Sequence, residues 1–273
     1  MITKQNSYFN PMDNLSFLDH IIFKIKFLTF LISVFPLILI CVFFGNSIPM
    51  ITNWSPVIFN RLLMWLLSIK VEFQGSITKS KECNLFISNH LTYLDIPVLG
   101  SVFPIRFVAK SEVQSLPILG FLSKLAKTIF IKRNRLDSLH QKIKTSKILS
   151  SGEKIFLFPE GTTSDGNRVL DFKSSLFSAV ENQNFLVQPI VIVYSELNGI
   201  PINRWIRPTI AWYGNMDLKP HLLKLIALRS LKVKIIYLKP VKTIHFANRK
   251  ELTKYLEKKI QKVYSNALSK KLA

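Results

Sequence analysis

Acidic residues are scarce in this 273-residue chain, which has 16 aspartates and glutamates against 37 lysines and arginines. The formal net charge of +21 indicates an anionic partner, such as nucleic acid, an anionic lipid surface, or an acidic substrate or carrier protein. The imbalance is greatest from residue 218 to residue 250, where no acidic residue occurs. A solvated surface in a lysine-rich chain accounts for part of this charge.

Cysteine is scarce as well. Cys41 lies in an apolar run and Cys83 lies near a predicted strand, and the two form no spacing motif. Two unrelated cysteines argue against a disulfide scaffold and favour a reducing compartment. Internal repeats and low-complexity tracts are also absent from the sequence, so nothing in it indicates a repeat protein.

Long apolar segments are confined to the N-terminal quarter of the chain. Residues 27–44 form an uncharged run, and a helix of that length is about 27 Å long, close to the roughly 30 Å hydrocarbon core of a bilayer. Pro36 lies in the middle of this run and is expected to kink the helix. A second apolar segment, residues 57–69, contains Asn60 and Arg61. It is too short to span a bilayer and is typical of an interfacial or re-entrant helix.

Basic residues flank both apolar segments. Lys24 and Lys26 precede the first, while Lys70 follows the second. This pattern favours a hairpin with both ends on the cytoplasmic side of the membrane, and a single true span is the alternative. We therefore predict an N-terminal tail and membrane-anchoring two-helix segment over residues 1–69 and a separate domain over residues 70–273.

The predicted domain alternates short apolar strands with amphipathic helices. This alternation predicts an α/β fold with a mostly parallel, mixed sheet covered by helices. The predicted strands are residues 71–74, 85–87, 104–108, 128–131, 154–158, 185–194 and 231–237, and the predicted helices are residues 116–126, 136–149 and 249–268.

His90 and Asp95 follow the predicted strand 85–87. Residues five apart point about 140° away from each other on a helix, so these two side chains meet only if a turn separates them. Thr92 and Asp95 form a capping-box pattern, which predicts a helix that begins near Thr92. A histidine oriented by a carboxylate is a general base for a hydroxyl group. The structural alternative is a helix cap beside a turn histidine. One histidine and one aspartate are too few ligands to predict a metal site.

Two further polar segments follow predicted strands. Arg133 comes directly after strand 128–131, and the segment Pro159–Thr162 follows strand 154–158. Loops at strand ends are where sites form in an open α/β sheet. A loop that holds a glutamate and a glycine can bind a polyol and can present backbone N–H groups to an oxyanion.

Together these segments resemble the glycerolipid acyltransferase family. The resemblance rests on Asn89-His90 with Asp95, and on Phe158-Pro159-Glu160-Gly161-Thr162 further along the chain. Residues 129–133 and 187–191 are similar to the second and fourth motifs of the family, whose best-known members are the 1-acylglycerol-3-phosphate acyltransferases. The resemblance covers residues 70–240, and the N-terminal hairpin also resembles the membrane anchor of the family.

The resemblance implies direct acyl transfer without an acyl-enzyme. His90 would take the proton of the acceptor hydroxyl, and Asp95 would hold the imidazole ring. No cofactor is expected, because an acyl-CoA or an acyl carrier protein serves as co-substrate. The residues that would bind the acceptor are Glu160, Gly161 and Thr162 around its glycerol-like part, and Lys110 and Arg133 at its anionic head group.

Thr163 departs from the family pattern, because many members with a phosphate-bearing acceptor have an arginine there. Arginine makes a bidentate phosphate contact that threonine cannot make. The expected acceptor is 1-acyl-sn-glycerol-3-phosphate, which would give phosphatidic acid, and a lyso-ornithine lipid or another lysolipid is the alternative. The expected location is a bacterial inner membrane, with the catalytic domain on the cytoplasmic side and an anionic membrane surface, rather than nucleic acid, as partner. A non-catalytic basic membrane-binding protein would explain the charge but would leave His90, Asp95 and Glu160 unexplained.

Overall fold

The N-terminal segment forms a pair of packed helices in the computed structural model, which describes residues 17–45, 47–78, 83–131, 135–226 and 229–269. Helix α1 (Phe17–Phe44) includes Pro36, and helix α2 (Pro49–Leu66) packs against it. The Phe30 and Phe59 rings lie 5.9 Å apart between the two helices. The predicted two-helix segment is therefore present. Its second helix begins eight residues earlier than predicted, because a proline at the first helical position needs no hydrogen-bond partner for its nitrogen.

Helix α1 is the candidate membrane segment. Among the described residues, only Ile21–Phe44 is both long and apolar enough to cross a membrane. In α2, by contrast, Arg61 donates a 2.8 Å hydrogen bond from Nε to the backbone oxygen of Ser101 in the following domain. Helix α2 therefore packs on that domain, and its interfacial or re-entrant position stays a prediction.

The domain that follows contains the predicted strands and helices, with ends shifted by a few residues. Among the described residues its strands are β1 (Ile69–Gln74), β2 (Cys83–Ser88), β3 (Arg106–Lys110), β4 (Ile129–Ile131), β5 (Ile155–Leu157), β6 (Leu186–Leu197), β7 (Ile200–Pro201), β8 (Leu231–Tyr237) and β9 (Val241–Lys242), and its helices are α3 (Asp95–Gly100), α4 (Pro117–Leu125), α5 (Arg135–Ser150), α6 (Leu218–Ile226) and α7 (Arg249–Ser269).

One mixed sheet organises the domain. Its strand order is β1-β8-β6-β2-β5-β3-β4, and β7 and β9 pair with β6. Strands β2 to β6 are parallel to one another, whereas β8 is antiparallel to β6 and parallel to β1. The predicted mostly parallel, mixed α/β sheet is confirmed.

Helices cover both faces of the sheet. On what we call the first face, α2, α3 and α6 pack on a core that includes Met64, Val98 and Leu225. On the second face, α5 and α7 pack on a core that includes Leu149 and Leu256. Because α2 contributes Met64 to the first-face core, the hairpin and the domain share buried surface, and the predicted division at residue 69 falls at the junction of α2 and β1.

Candidate active site

His90 and Asp95 lie at the carboxyl end of β2, in the turn that leads into α3. The Nδ1 atom of His90 is 2.7 Å from Oδ2 of Asp95. The turn is closed by a 3.0 Å hydrogen bond from the backbone N–H of Asp95 to the backbone oxygen of Thr92. The prediction that these two side chains meet across a turn is confirmed.

The predicted capping box is only half formed. The Asp95 carboxylate accepts hydrogen bonds from the backbone N–H groups of Leu91 (2.7 Å) and Thr92 (3.1 Å). The Thr92 hydroxyl, however, is buried without a hydrogen-bond partner, and α3 begins at Asp95. The prediction of a helix starting near Thr92 was wrong by three residues, because the carboxylate caps the turn alone.

Tyr194 supplies a further hydrogen bond to the aspartate, and sequence reasoning missed it. Its hydroxyl donates to Oδ1 of Asp95 at 2.7 Å from the neighbouring strand β6. Burial and the charge of Asp95 raise the pKa of Tyr194 well above its ordinary value. The phenol therefore remains a donor, and both oxygens of the fully buried Asp95 are hydrogen-bonded.

The hydrogen bond to Asp95 determines which nitrogen of His90 can act on a substrate. A carboxylate acceptor at Nδ1 favours the tautomer that carries its proton there, so Nε2 is the nitrogen able to accept a proton. The ring stacks on Phe158, with centroids 3.9 Å apart and planes 12° apart. Phe158 and Asp95 thus fix the plane and the rotation of the imidazole.

Glu160 holds the backbone of His90. One carboxyl oxygen accepts a 2.7 Å hydrogen bond from the N–H of His90, and the other accepts one of 2.8 Å from the N–H of Leu170. Burial, with a smaller contribution from the charge of Asp95, raises the pKa of Glu160 to about 8, although the two N–H bonds oppose the shift. The carboxyl group is buried and faces the protein, so an acceptor contact for Glu160 remains a prediction.

The loop that follows β5 contains Glu160 and also holds the carbonyl group of His90. The backbone N–H of Ser164 donates a 3.0 Å hydrogen bond to the His90 carbonyl. The Ser164 hydroxyl donates to the same carbonyl at 3.3 Å, so three direct hydrogen bonds at His90 join the loops that follow β2 and β5. This is the position expected for neighbouring parallel strands, whose carboxyl ends lie on one edge of the sheet.

Asn89 ties the histidine loop to β6. Its side-chain amide donates to the backbone oxygen of Ile192 and accepts from the backbone N–H of the same residue, both at 3.0 Å. The side chain thus replaces a strand neighbour where β2 ends. The Asn-His pair in the sequence therefore combines a residue that fixes the loop with the residue that acts on the substrate.

The other predicted site residues differ in how far the structure places them. Gly161 has a φ angle of +65°, and its N–H bonds to the Phe158 oxygen at 3.0 Å, so it forms a tight turn. Thr162 is exposed, and Lys110 is half-buried at the carboxyl end of β3. Arg133 lies outside the described residues. Contacts of these four residues with an acceptor stay predictions.

Comparison with known proteins places this arrangement in a family. Residues 68–193 match the family model described as Acyltransferase. The chain is 38% identical over 224 residues to the lyso-ornithine lipid O-acyltransferase of Rhizobium meliloti, covering 79% of this chain and 76% of that protein. It is 33% identical to the enzyme of the same name from Brucella abortus, covering 78% of this chain and 82% of that protein.

A second group of relatives has a different name. The chain is 29% identical to the 1-acyl-sn-glycerol-3-phosphate acyltransferase of Neisseria gonorrhoeae, covering 67% of this chain and 69% of that protein. The crystal structure of the 1-acyl-sn-glycerophosphate acyltransferase from Thermotoga maritima has the same fold, with a TM-score of 0.60 and 21% identity over 90% of this chain and 97% of that one. From the identity to the Rhizobium and Brucella proteins over most of their length, we conclude that the chain belongs to the lysophospholipid acyltransferase family.

Proposed function

We propose that this protein is an O-acyltransferase that moves a fatty acyl group from an acyl thioester to the free hydroxyl of a lyso-ornithine lipid. Support for this acceptor comes from the relatives of that name, one of them 38% identical to the chain. Thr163 supports it too, because it replaces an arginine expected beside a phosphate-bearing acceptor. The sequence resemblance alone favours 1-acyl-sn-glycerol-3-phosphate, which remains the second candidate because of the Neisseria relatives.

The observation that carries the proposal is the 2.7 Å contact between His90 Nδ1 and Asp95. In the proposed reaction, Nε2 of His90 removes the proton of the acceptor hydroxyl while the oxygen forms a bond to the thioester carbonyl carbon. Asp95 stabilises the positive charge that the imidazole gains. The tetrahedral intermediate then collapses, the carbon–sulfur bond breaks, and the departing thiolate takes the proton from His90. The products are an ester and a free thiol.

The proposed donor is an acyl-CoA or an acyl carrier protein. Coenzyme A is polyanionic and acyl carrier proteins are typically acidic, and a chain with a net charge of +21 favours either. We place the enzyme at a bacterial inner membrane with its catalytic domain on the cytoplasmic side. The apolar helix Ile21–Phe44, which has Lys24 and Lys26 in its first turns, supports this location.

The decisive experiment measures acyl transfer by the purified full-length protein in vesicles. One acyl-CoA is offered with lyso-ornithine lipid or with 1-acyl-sn-glycerol-3-phosphate at equal mole fraction, and the ester product is quantified. We expect faster transfer to lyso-ornithine lipid. We also expect a loss of at least about 100-fold in His90→Ala, because general base catalysis contributes about 100-fold to 10,000-fold.

The exposed His245 provides the matched control, because His245→Ala removes a second imidazole that lies outside the site. Turnover in His245→Ala should equal that of the wild type. Undiminished turnover in His90→Ala would contradict the catalytic proposal. Faster transfer to 1-acyl-sn-glycerol-3-phosphate would replace the first acceptor by the second and leave the chemistry intact.

A further inference from the structure

Tryptophan is unusually exposed in this protein. The chain has four tryptophans, and three of them, Trp54, Trp65 and Trp205, are exposed side chains. Trp54 and Trp65 lie on α2, which packs on the first face of the sheet. Exposed tryptophans are typical of the membrane–water interface, where the ring contacts acyl chains and the indole N–H remains hydrated.

Trp205 belongs to the catalytic domain rather than to the hairpin, and it is 76% exposed. Its loop leaves β6 through the β7 hairpin and is fixed on the first face by Ile202 and Ile206, which pack in the first-face core. The Arg204 guanidinium lies 5.3 Å from the centre of the indole ring. A tryptophan beside an arginine matches the boundary between acyl chains and anionic head groups.

Helix α4 presents a second apolar surface on the same domain. Four large apolar side chains at its start are exposed, and Ile118 is the most exposed of them at 74%. None of the buried residues in the described cores comes from α4. The residues of this surface, which we call the α4 patch, are Leu116, Ile118, Leu119 and Phe121.

The chain path places the α4 patch on the first face. The connection from β2 to β3 passes through α3 on the first face, and the connection from β4 back to β5 passes through α5 on the second. Both connections are therefore of one hand. The connections from β2 to β3 and from β3 to β4 run in the same direction along the sheet. Parallel connections that share one hand and one direction cross the same face of the sheet. Because α3 lies on the first face, we infer that α4 lies there too.

The active site lies between these two surfaces. His90 follows β2, which stands between β6 on one side and β5 and β3 on the other. The Trp205 loop extends from β6, and α4 follows β3, so one apolar surface flanks the site on each side. Helix α1, whose apolar side chains are also exposed, packs on α2 at the same face.

We propose that Trp205 and the α4 patch dock the catalytic domain on an anionic phospholipid bilayer, as a contact separate from α1. Continuity with the membrane helix pair on the same face supports a bilayer as the occupant. Charge complementarity supports it too, since Arg204 adjoins Trp205 and the exposed Lys124 lies on α4. The contact would hold the His90 site against the lipid surface, where an acceptor with an acyl chain resides.

The test uses the full-length protein with Cys41 and Cys83 replaced by alanine. Single cysteines are introduced as Ile118→Cys, Trp205→Cys and Ile143→Cys, and each is labelled with an environment-sensitive fluorophore. Ile143 is the matched control, because it is an exposed isoleucine on α5, which covers the second face. The proteins are reconstituted in vesicles of phosphatidylglycerol and phosphatidylethanolamine with or without brominated acyl chains.

We expect brominated lipid to quench the labels at positions 118 and 205 at least about twofold more than the label at 143. Equal quenching at all three positions, or quenching at only one of positions 118 and 205, would overturn the proposal. A label that is shielded without lipid quenching, as in a contact between two copies of the chain, would also overturn it. Fluorescence does not depend on turnover, so the outcome is independent of the proposed acceptor.

Discussion

The hydroxyl of Tyr194 donates a 2.7 Å hydrogen bond to Oδ1 of Asp95, the carboxylate oxygen that His90 does not contact. The phenol is fully buried and cannot reach a substrate from this position. Tyr194 is therefore a positioning residue: it fixes the orientation of the carboxylate, which in turn fixes the tautomer and orientation of the imidazole. A hydrogen bond to a buried charge contributes about 1.5–3 kcal/mol.

Tyr194→Phe should lower kcat by about tenfold with little change in KM, because the loss falls on alignment of the base rather than on substrate binding. The carboxylate, with one donor fewer, should attract the imidazole proton more strongly. The acidic limb of the pH–kcat profile should then move to higher pH. Steady-state kinetics across pH would measure both effects. Tyr237→Phe, on β8, is the control; a uniform fall in activity with an unchanged pH profile would indicate a merely structural role for Tyr194.

The raised pKa of Glu160 predicts that the stability of the folded protein depends on pH. Its pKa is raised from 4.5 to about 8 in the folded protein. Between these values the unfolded chain releases the proton that the folded protein keeps, so the contribution of Glu160 to stability is complete below pH 4.5 and is lost as the pH rises to about 8. The fall is at most about 1.4 kcal/mol per pH unit.

Thermal unfolding of the solubilised protein across this pH range would test the prediction. Glu160→Gln has no proton to release at this position, so its melting temperature should decrease less between pH 5 and pH 8 than that of the wild type. The exposed Glu251→Gln should keep the wild-type dependence. Parallel curves for the wild type and Glu160→Gln would show that Glu160 titrates normally.

Replacing Thr163 by arginine should change the preference for the acceptor. Thr163→Arg should shift the ratio of kcat/KM values toward 1-acyl-sn-glycerol-3-phosphate by about tenfold or more, because arginine can bind the phosphate through two parallel hydrogen bonds. Competition between the two acceptors in one vesicle preparation would measure the ratio directly. Ser151→Arg adds the same charge after α5, away from the site, and should leave the ratio unchanged. An equal shift in both variants would indicate general electrostatic attraction.

Replacing Gly161 by alanine should lower both stability and turnover, because Lys173 lies close to the added carbon. An alanine there would hold a left-handed φ of +65° and would place its Cβ 3.0 Å from Lys173 Nζ. Gly152→Ala is the matched control, because its φ is +83° and nothing lies within 4 Å of the added carbon. Both variants should lose about 1 kcal/mol of stability from the backbone conformation. Only Gly161→Ala should also lose turnover, and equal turnover in the two would argue against a role for the Gly161 turn.

The sequence by itself determined the order of the elements and the first contact of the site. Alternating apolar segments predicted the strands and the mixed sheet, because side-chain periodicity follows directly from local backbone geometry. The spacing of five positions from His90 to Asp95 required a turn, and the turn brings the two side chains to 2.7 Å. The apolar run that became α1 was equally visible, since length and the absence of charge suffice to identify it.

Only the tertiary structure decided how that pair is held. Tyr194 contacts Asp95 across 99 positions of sequence, and Asn89 bonds to Ile192 across 103. Glu160 holds the His90 backbone from 70 positions away, a contact that no sequence pattern predicted. Such contacts depend on which strands become neighbours, β6 beside β2 and β2 beside β5. Strand pairing is set by the packing of the whole domain, so no local pattern in the sequence records it.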